Sequence, residues 1–548
     1  MEERIRKAVE EALIEMGVEG TSFAVEWPGD LTHGDYATNA AMAAAKKLGR
    51  NPQELAGELA TKVAEILGDL VTKVEAAGPG FVNITLSPAS VRAEIEHAAK
   101  AGESLGRTKE SLGKRVIVEY SCPNPMKEMH VGHLMSTVIG EAVARVIESG
   151  SATVIRDSYG GDVGPHIAKA LWALRKDGVT EPANSAEIGK AYAHGSQAYE
   201  KSEEAKAEID ALNQEIYKGE DPGLMDLWRR AREVSLEAFY EIYALMGTKF
   251  DYFFFESETA EPGMRIVKEG LAKGVFEESE GAIIYKGEKK GLHTLVFITS
   301  RDTPTYEAKD IGLAFLKEER VPSDESIILT AAEQSGHFAV FLAALEDIAP
   351  LVAKKTRHIP HGFLRLTSGK MSSREGTVIT AKEIIDEVIE KAKEKNEDSL
   401  VAEQVAVGAL KYMILRQAPG GDIIFDPEKS LSLEGDSGPY LQYALVRALK
   451  VLTYDNKSGG GETPAEPYTI ERLLLRFPGV CARARQDSAP HHIAQYLTQL
   501  ASAWNAFYAT EQILGSPEEA YKQQVARAFA NTMRAGFSML GIPAPERM

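Results

Sequence analysis

The sequence predicts an α/β protein in three parts: an α+β unit over residues 1–107, a parallel-sheet domain over 108–384 and an all-helical region over 385–548. Three observations predict it. From Lys114 the chain runs Arg115-Val-Ile-Val-Glu-Tyr120, a short buried-strand pattern, then a Pro-rich loop, a helix over about 132–149 and a second strand over 152–156. Strand, helix and strand in that order form a βαβ unit, whose sheet is parallel and binds ligands at the carboxyl ends of its strands. Beyond about residue 385 the apolar spacing is nearly all helical, whereas before residue 107 short strands and helices mix.

Each element has a local reason. Asn51-Pro52-Gln53-Glu54 offers a capping Asn, Pro at the first helical position and Glu at the third, so a helix starts there. Residues 71–86 hold two β-type runs around Gly78-Pro79-Gly80, which predicts a hairpin, and Ser87-Pro88 starts the next helix. Residues 175–245 are charged, helical and poor in strand signal, which predicts an insertion within the sheet domain. Strand-like runs return over 295–299 and 326–330. Asn456-Lys-Ser-Gly-Gly-Gly-Glu462 reads as a loop.

Bulk composition narrows the function less. A chain of 548 residues with 44% hydrophobic and 26% charged residues can bury sizeable cores in two to four domains. It holds no apolar run of about 18 residues and no signal-peptide pattern, so neither a membrane span nor export is expected. Cys122 and Cys481 are too few for a disulfide framework or a four-thiolate zinc site, and a reducing cytoplasm fits. The net charge of -19 argues against a generally basic nucleic-acid binder, though a local Lys/Arg surface can still hold RNA.

Two motifs carry chemistry. His130-Val131-Gly132-His133 follows the first strand and opens a helix. Imidazoles at a helix N-terminus can donate to phosphate oxygens where backbone amides already favour anions, and the glycine lets a flat base approach. The second motif is Ser368-Gly-Lys370-Met371-Ser372-Ser373-Arg-Glu-Gly376, whose glycines, hydroxyls and lysine could clamp a triphosphate. Further on, Thr303-Pro-Thr-Tyr306-Glu-Ala-Lys-Asp310 places Tyr306 and Asp310 one turn apart on a helix face. Asp310 precedes the apolar Ile311-Gly-Leu-Ala-Phe315, so its carboxylate needs a cation. That cation is either a substrate guanidinium or an internal basic side chain.

Together the two motifs resemble the HIGH and KMSKS signatures of class I aminoacyl-tRNA synthetases. Within that class the chain resembles the arginyl-tRNA synthetases nearly end to end. The resemblance rests on the Tyr306–Asp310 segment, on His33-Gly-Asp-Tyr-Ala-Thr-Asn39, on Gly78-Pro-Gly-Phe-Val-Asn83 and on Phe250-Asp-Tyr-Phe-Phe-Phe-Glu256-Ser257. It also rests on Ser432-Leu-Glu-Gly-Asp-Ser-Gly-Pro-Tyr-Leu-Gln-Tyr443 and on the final Ala544-Pro-Glu-Arg-Met548. It implies a Rossmann-like catalytic domain between an N-terminal additional domain and a helical anticodon-binding domain. The implied reaction activates L-arginine with ATP, accompanied by Mg2+, and loads it onto tRNA(Arg). A cytoplasmic monomer with no membrane partner and no resident metal is the expectation.

The resemblance also implies roles. His130, Gly132, His133, Lys370, Met371 and Ser372 would hold ATP, with His130, His133, Lys370 and Lys127 catalytic. Glu119, Asn124, Glu256, Tyr306, Asp310 and Gln334 would form the arginine pocket, Glu256 and Asp310 facing the guanidinium. Phe81 and Asn83 would touch the tRNA D-loop, unless they merely support a small core. Trp504, Phe507 and Tyr508 fall in a segment expected to help form the anticodon site, with core packing expected for at least one of them. Several positions depart from the pattern: Cys122 stands where Ser is usual, Glu128 where Pro is usual, Met135 where Arg is frequent and Ser373 where the second signature lysine would be. Other readings are a small nucleotidyl transferase sharing the first signature, which the helical last third opposes, and an inactive paralogue, which intact His130, His133 and Lys370 oppose.

Overall fold

The computed structural model describes residues 1–366, 380–418, 420–454 and 461–548. The second signature motif and most of the loop expected at 456–462 lie outside the described residues.

The N-terminal unit is an antiparallel sheet of β1 (Val25–Glu26), β2 (Tyr36–Thr38), β3 (Val71–Ala77) and β4 (Phe81–Leu86), in the order β1-β2-β4-β3. The expected hairpin is present, turning at Gly78 and Gly80 with φ of 53° and 130°. A Cβ at Gly80 would lie 2.8 Å from that of Pro52, so the turn can pack on the helix Pro52–Leu67 only as glycine. Asn51 caps that helix, accepting from the Gln53 amide at 2.8 Å, and Ser87 caps the helix Pro88–Ala101 in the same way. Alternation along β4 buries Val82, Ile84 and Leu86 and leaves Phe81 and Asn83 half-exposed on the other face.

The central domain is built on β5 (Arg115–Glu119), β6 (Thr153–Gly160), β7 (Tyr252–Phe255), β11 (Glu325–Ala331) and β12 (Thr356–His361). They form one fully parallel sheet in the order β12-β11-β5-β6-β7. Val116 and Val118 of β5 enter one hydrophobic core and Ile117 enters another, so the strand is buried on both faces. The run over 295–299 belongs elsewhere. It is β10 (Leu295–Ile298), the edge of a small antiparallel sheet with β8 (Glu277–Ser279) and β9 (Ala282–Tyr285). Its partners lie only some ten residues back in the chain, a local pairing that strand propensity cannot distinguish from a central strand.

The helical insertion begins earlier than the composition suggests. Helices Pro165–Lys176, Ser185–Lys201, Glu203–Lys218 and Pro222–Leu245 pack around their own core of Ile167, Leu171, Ile209 and Leu224. The last third is helical, with long helices Gly438–Leu452, His491–Thr510 and Glu519–Leu540. One short exception is β14 (Ile423–Phe425), which pairs in parallel with β13 (Leu364–Leu366). No helix among the described residues is long and apolar enough to cross a membrane.

Candidate active site

The strand order locates the site. From β5 the chain moves outward to β6 and β7, then returns to β11 on the other side of β5, so the topology switches between β5 and β11. A parallel sheet opens a crevice at the carboxyl ends of its strands at such a point. Glu119, Ser121–Met126 and His130 all lie there, between the end of β5 and the helix Val131–Glu148.

The connecting loop is strained. Ser121, Cys122 and Met126 have φ of 72°, 50° and 64°, three of the seven described non-glycine residues with positive φ. Hydrogen bonds hold it from several elements. Ser136 accepts from the Ser121 amide at 3.0 Å, Tyr243 hydrogen-bonds the Ser121 hydroxyl at 2.9 Å and Ser235 accepts from the Met126 amide at 2.9 Å. The Cys122 thiol accepts from the Tyr159 amide at 3.4 Å. Two of these staples come from the insertion helix Pro222–Leu245, so the insertion shapes the signature loop.

His130 and His133 stack with ring centroids 3.7 Å apart. The His130 Nδ1 accepts from the Gly132 amide at 3.1 Å and the His133 Nδ1 accepts from the His130 amide at 3.3 Å. Burial, aided by the Lys127 charge, lowers both imidazole pKa values, that of His133 strongly. Both rings are therefore neutral, and with Nδ1 engaged as acceptor each carries its proton on Nε2, which has no acceptor among the described residues. Gly132 has a reason beyond base access: a Cβ there would lie 2.9 Å from the His130 ring. Lys127 forms no ion pair with a described carboxylate. Its ammonium lies over the Tyr192 ring, 4.7 Å from the centroid, on the insertion helix Ser185–Lys201.

The acids expected to hold arginine each carry an internal cation. Glu119 receives Lys317 at 2.5 Å, and Lys317 also meets Asp157 at 2.6 Å. Burial pushes the Asp157 carboxyl up to about 7 against the pull of Lys317. Glu256 receives Lys309 at 2.5 Å, whose ammonium also sits 5.3 Å from the centroid of the exposed Tyr306 ring. Asp310 accepts from His337 at 2.6 Å, and the other His337 nitrogen meets Glu307 at 3.2 Å. Asp310 thus has an internal partner, a histidine on the next helix. Asn124 accepts from the Gly161 amide at 3.0 Å, and Gly161 is squeezed between Asn124 and Glu256, which a Cβ would approach to 2.6 and 3.0 Å. Gln334 is exposed immediately before the helix Ser335–Ile348. The helix Tyr306–Arg320 is seated backbone to backbone: a Cβ at Gly312 would lie 2.2 Å from the Thr259 carbonyl oxygen.

Sequence reasoning missed Lys309, Lys317 and His337. Lys309 had a signal, since it follows Tyr306 by three on the same helix. His337 had none, because it reaches Asp310 only through the packing of two helices.

At the RNA-facing candidates one expectation is corrected. Trp504 is fully buried and stacks on Phe529 at 4.7 Å, so it is a core residue and not a surface for bases. Phe507 is buried beside it. Tyr508 remains 36% exposed under the Arg447 guanidinium, 4.0 Å from its ring centroid. Lys370, Met371 and Ser372 lie outside the described residues. Among the described residues no group of three or more His, Cys, Asp or Glu side chains could hold a metal ion.

Comparison with known proteins agrees with this architecture. Residues 95–426 match the family model of tRNA synthetases class I (R), catalytic domain, residues 2–86 that of the arginyl tRNA synthetase N terminal domain, and residues 441–548 that of the DALR anticodon binding domain. An arginine--tRNA ligase of Treponema pallidum is 32% identical, with 97% of this chain and 96% of that one covered. One from an Exiguobacterium species is 30% identical, with 97% of each covered. The structure of the Thermus thermophilus arginyl-tRNA synthetase superposes over 100% of both chains with a TM-score of 0.84 at 27% identity. The Plasmodium falciparum arginyl-tRNA synthetase shares the fold, with a TM-score of 0.80 at 19% identity, over 100% of this chain and 98% of that one.

Proposed function

The chain belongs to the arginyl-tRNA synthetases, and from that premise we propose how its residues divide the work. The enzyme is an arginine--tRNA ligase. It activates L-arginine with ATP to arginyl-adenylate, releasing pyrophosphate, then transfers arginine to the 3′ end of tRNA(Arg), leaving AMP. Activation is an in-line attack of a carboxylate on the α-phosphorus and needs no protein nucleophile, so positioning and charge stabilisation carry it.

The observation that carries the assignment is the stacked pair of His130 and His133 at the N-terminus of the signature helix, each with its Nδ1 accepting from a backbone amide. His130 and His133 donate to phosphate oxygens there without adding charge. Lys127 and, from the second signature, Lys370 supply the cations, and Gly132, Met371 and Ser372 complete the nucleotide site. Magnesium comes with the triphosphate as part of the substrate, its ligands phosphate oxygens and water.

The pocket's charge supports arginine as the substrate. Glu119 and Asp157 share one cation, Lys317; Glu307 and Asp310 share one cation, His337. The Glu307–Asp310–His337 triad holds two carboxylates against one cation and so has a charge to offer the guanidinium. In the other, where burial raises Asp157 to about 7, the α-ammonium meets a carboxyl that gives up its proton readily as the cation arrives. Glu119 and Asn124 take the amino-acid end, while Glu256, Tyr306, Asp310 and Gln334 line the side chain. Phe81 and Asn83 share the half-exposed face of β4, which supports contact with the tRNA. Asn83→Ala weakens tRNA charging and leaves the melting temperature within about a degree, because a residue on that face carries little of the core. A sharp drop in melting temperature with unchanged tRNA affinity would make Asn83 a structural residue. Of the anticodon candidates only Tyr508 is retained, and the reading is completed as a cytoplasmic monomer.

ATP–pyrophosphate exchange with each amino acid, with and without tRNA, tests the whole. Exchange depends on arginine and on tRNA(Arg). Full-rate exchange without RNA, or a preference for lysine, would overturn the reading.

A further inference from the structure

A cationic cavity lined by none of the described signature residues lies where the N-terminal unit meets the helices Phe477–Asp487 and His491–Thr510. Its volume is about 400 Å³, and Trp27, Arg476, Arg483, His492 and Tyr496 line it. No carboxylate is among the lining residues.

Charges on half-buried side chains are normally matched, because removing them from water is costly. Here two are not. Arg483 forms no ion pair with a described carboxylate; its guanidinium lies on the Trp27 ring, 4.0 Å from the centroid. Arg476 likewise has no described ion-pair partner, makes only a long 3.5 Å hydrogen bond to the Pro28 carbonyl, and has its pKa lowered by burial. The acids nearby are committed elsewhere or set back. Asp35 is paired with Arg472 at 2.7 Å and Asp487 meets His492 at 3.0 Å. Glu2, beside Trp27 and 3.8 Å from Arg6, has its carboxyl raised by burial against the pull of the Arg483 charge. The Trp27 indole N–H is buried without an acceptor. Two guanidiniums without a described ion pair and a roomy polar cleft stand together in a protein of net charge -19. Such a cleft concentrates anions against the field of the whole molecule.

We propose that this cleft is an anion site that takes a phosphate group, held by Arg476 and Arg483, with the Trp27 ring stacked under the Arg483 guanidinium. Guanidinium forks match phosphate oxygens, and phosphate is the anion shared by the RNA, ATP, AMP and pyrophosphate that this enzyme handles. Its source is either a phosphodiester of the bound tRNA, gripped between the two units that flank the cleft, or a free phosphate. The site is independent of the residue roles assigned to the catalytic pocket, since none of those residues lines it.

The test compares the parent with Arg476→Gln/Arg483→Gln and Arg476→Lys/Arg483→Lys in two assays. In the first, tRNA(Arg) affinity is measured against salt. For an RNA phosphate, the Gln pair binds about tenfold more weakly at low salt, and its log–log slope is shallower by about 0.7–0.9 for each phosphate it no longer neutralises. The Lys pair keeps the parent's slope, and exchange at saturating tRNA is unchanged in both. In the second, inorganic phosphate and pyrophosphate are titrated while tryptophan fluorescence is read, with Trp27→Phe identifying the reporter. A saturable signal lost in Trp27→Phe and in the Gln pair, with tRNA binding unaffected, assigns the site to free phosphate. Parent-like tRNA binding by the Gln pair with no phosphate signal in the parent overturns the proposal. So does a Lys pair as impaired as the Gln pair, which would make the arginines packing residues.

Discussion

Replacing Lys127 with alanine lowers the single-turnover rate of arginyl-adenylate formation about a hundredfold or more, while the KM for ATP moves little. The second signature reads Lys370-Met371-Ser372-Ser373, with serine where a second lysine would meet the departing pyrophosphate. A donor aimed at developing charge contributes about 3–4 kcal/mol, so its loss needs a replacement. Lys127 fits that role on three counts. It lies three residues before His130; its charge is close enough to help hold His130 and His133 neutral; and no described carboxylate claims it. Glu128 does not neutralise it: that carboxylate turns against Gly189, within 3.5 Å of where a Cβ would stand. The ammonium rests on Tyr192, a weak and reversible seat worth about 0.5–2 kcal/mol, from which it can swing to phosphate oxygens. Because that help arrives mostly in the transition state, it appears in the rate and not in ATP binding. A Lys127→Ala enzyme within a few-fold of the parent in single-turnover activation would return this lysine to the solvent.

How much of this was legible in the sequence depends on distance along the chain. The β5 strand, its loop and the signature helix are contiguous, so Arg115–His133 predicted both the parallel unit and the site's position. The hairpin at Gly78–Gly80 and the caps at Asn51 and Ser87 were equally local. Pairings across the fold were not. Nothing in the spacing of Glu119 and Lys317, 198 residues apart, announces an ion pair. His337 and Asp310 meet only because two helices pack side by side. Burial was misjudged at Trp504 because an aromatic at helical spacing looks the same whether it faces RNA or Phe529. The strand at 295–298 shows the same limit: β propensity marks a strand without saying which sheet it joins. The insertion's helices supply Ser235, Tyr243 and Tyr192 to the signature loop, a role no motif in their own sequence advertises.

Asp310→Asn raises the KM for arginine roughly 30- to 5,000-fold, the equivalent of about 2–5 kcal/mol for one partner taken from a buried charge pair. The structure sharpens why. His337 bridges Asp310 at 2.6 Å and Glu307 at 3.2 Å, so one cation serves two carboxylates and the group retains one negative charge for a guanidinium. In the asparagine variant that group is neutral, and an arriving guanidinium finds a histidine cation without surplus carboxylate. ATP binding is unaffected, because none of these residues belongs to the nucleotide site. A normal arginine KM would mean that Asp310 serves His337 alone. A second measurement separates the two roles. Burial alone would lower the His337 pKa, but the hydrogen bonds it donates to Asp310 and then Glu307 raise it to about 10. A histidine with a raised pKa contributes stability that is complete below its unfolded value of about 6.5 and is lost as pH climbs through about 10. The stability gap between parent and Asp310→Asn is therefore widest below pH 6.5 and narrows as the solution is taken toward pH 10. Denaturant unfolding across that range reads the gap directly. A gap independent of pH would show that His337 carries no extra proton in the folded enzyme, and the charge count that leaves room for the guanidinium would fail with it.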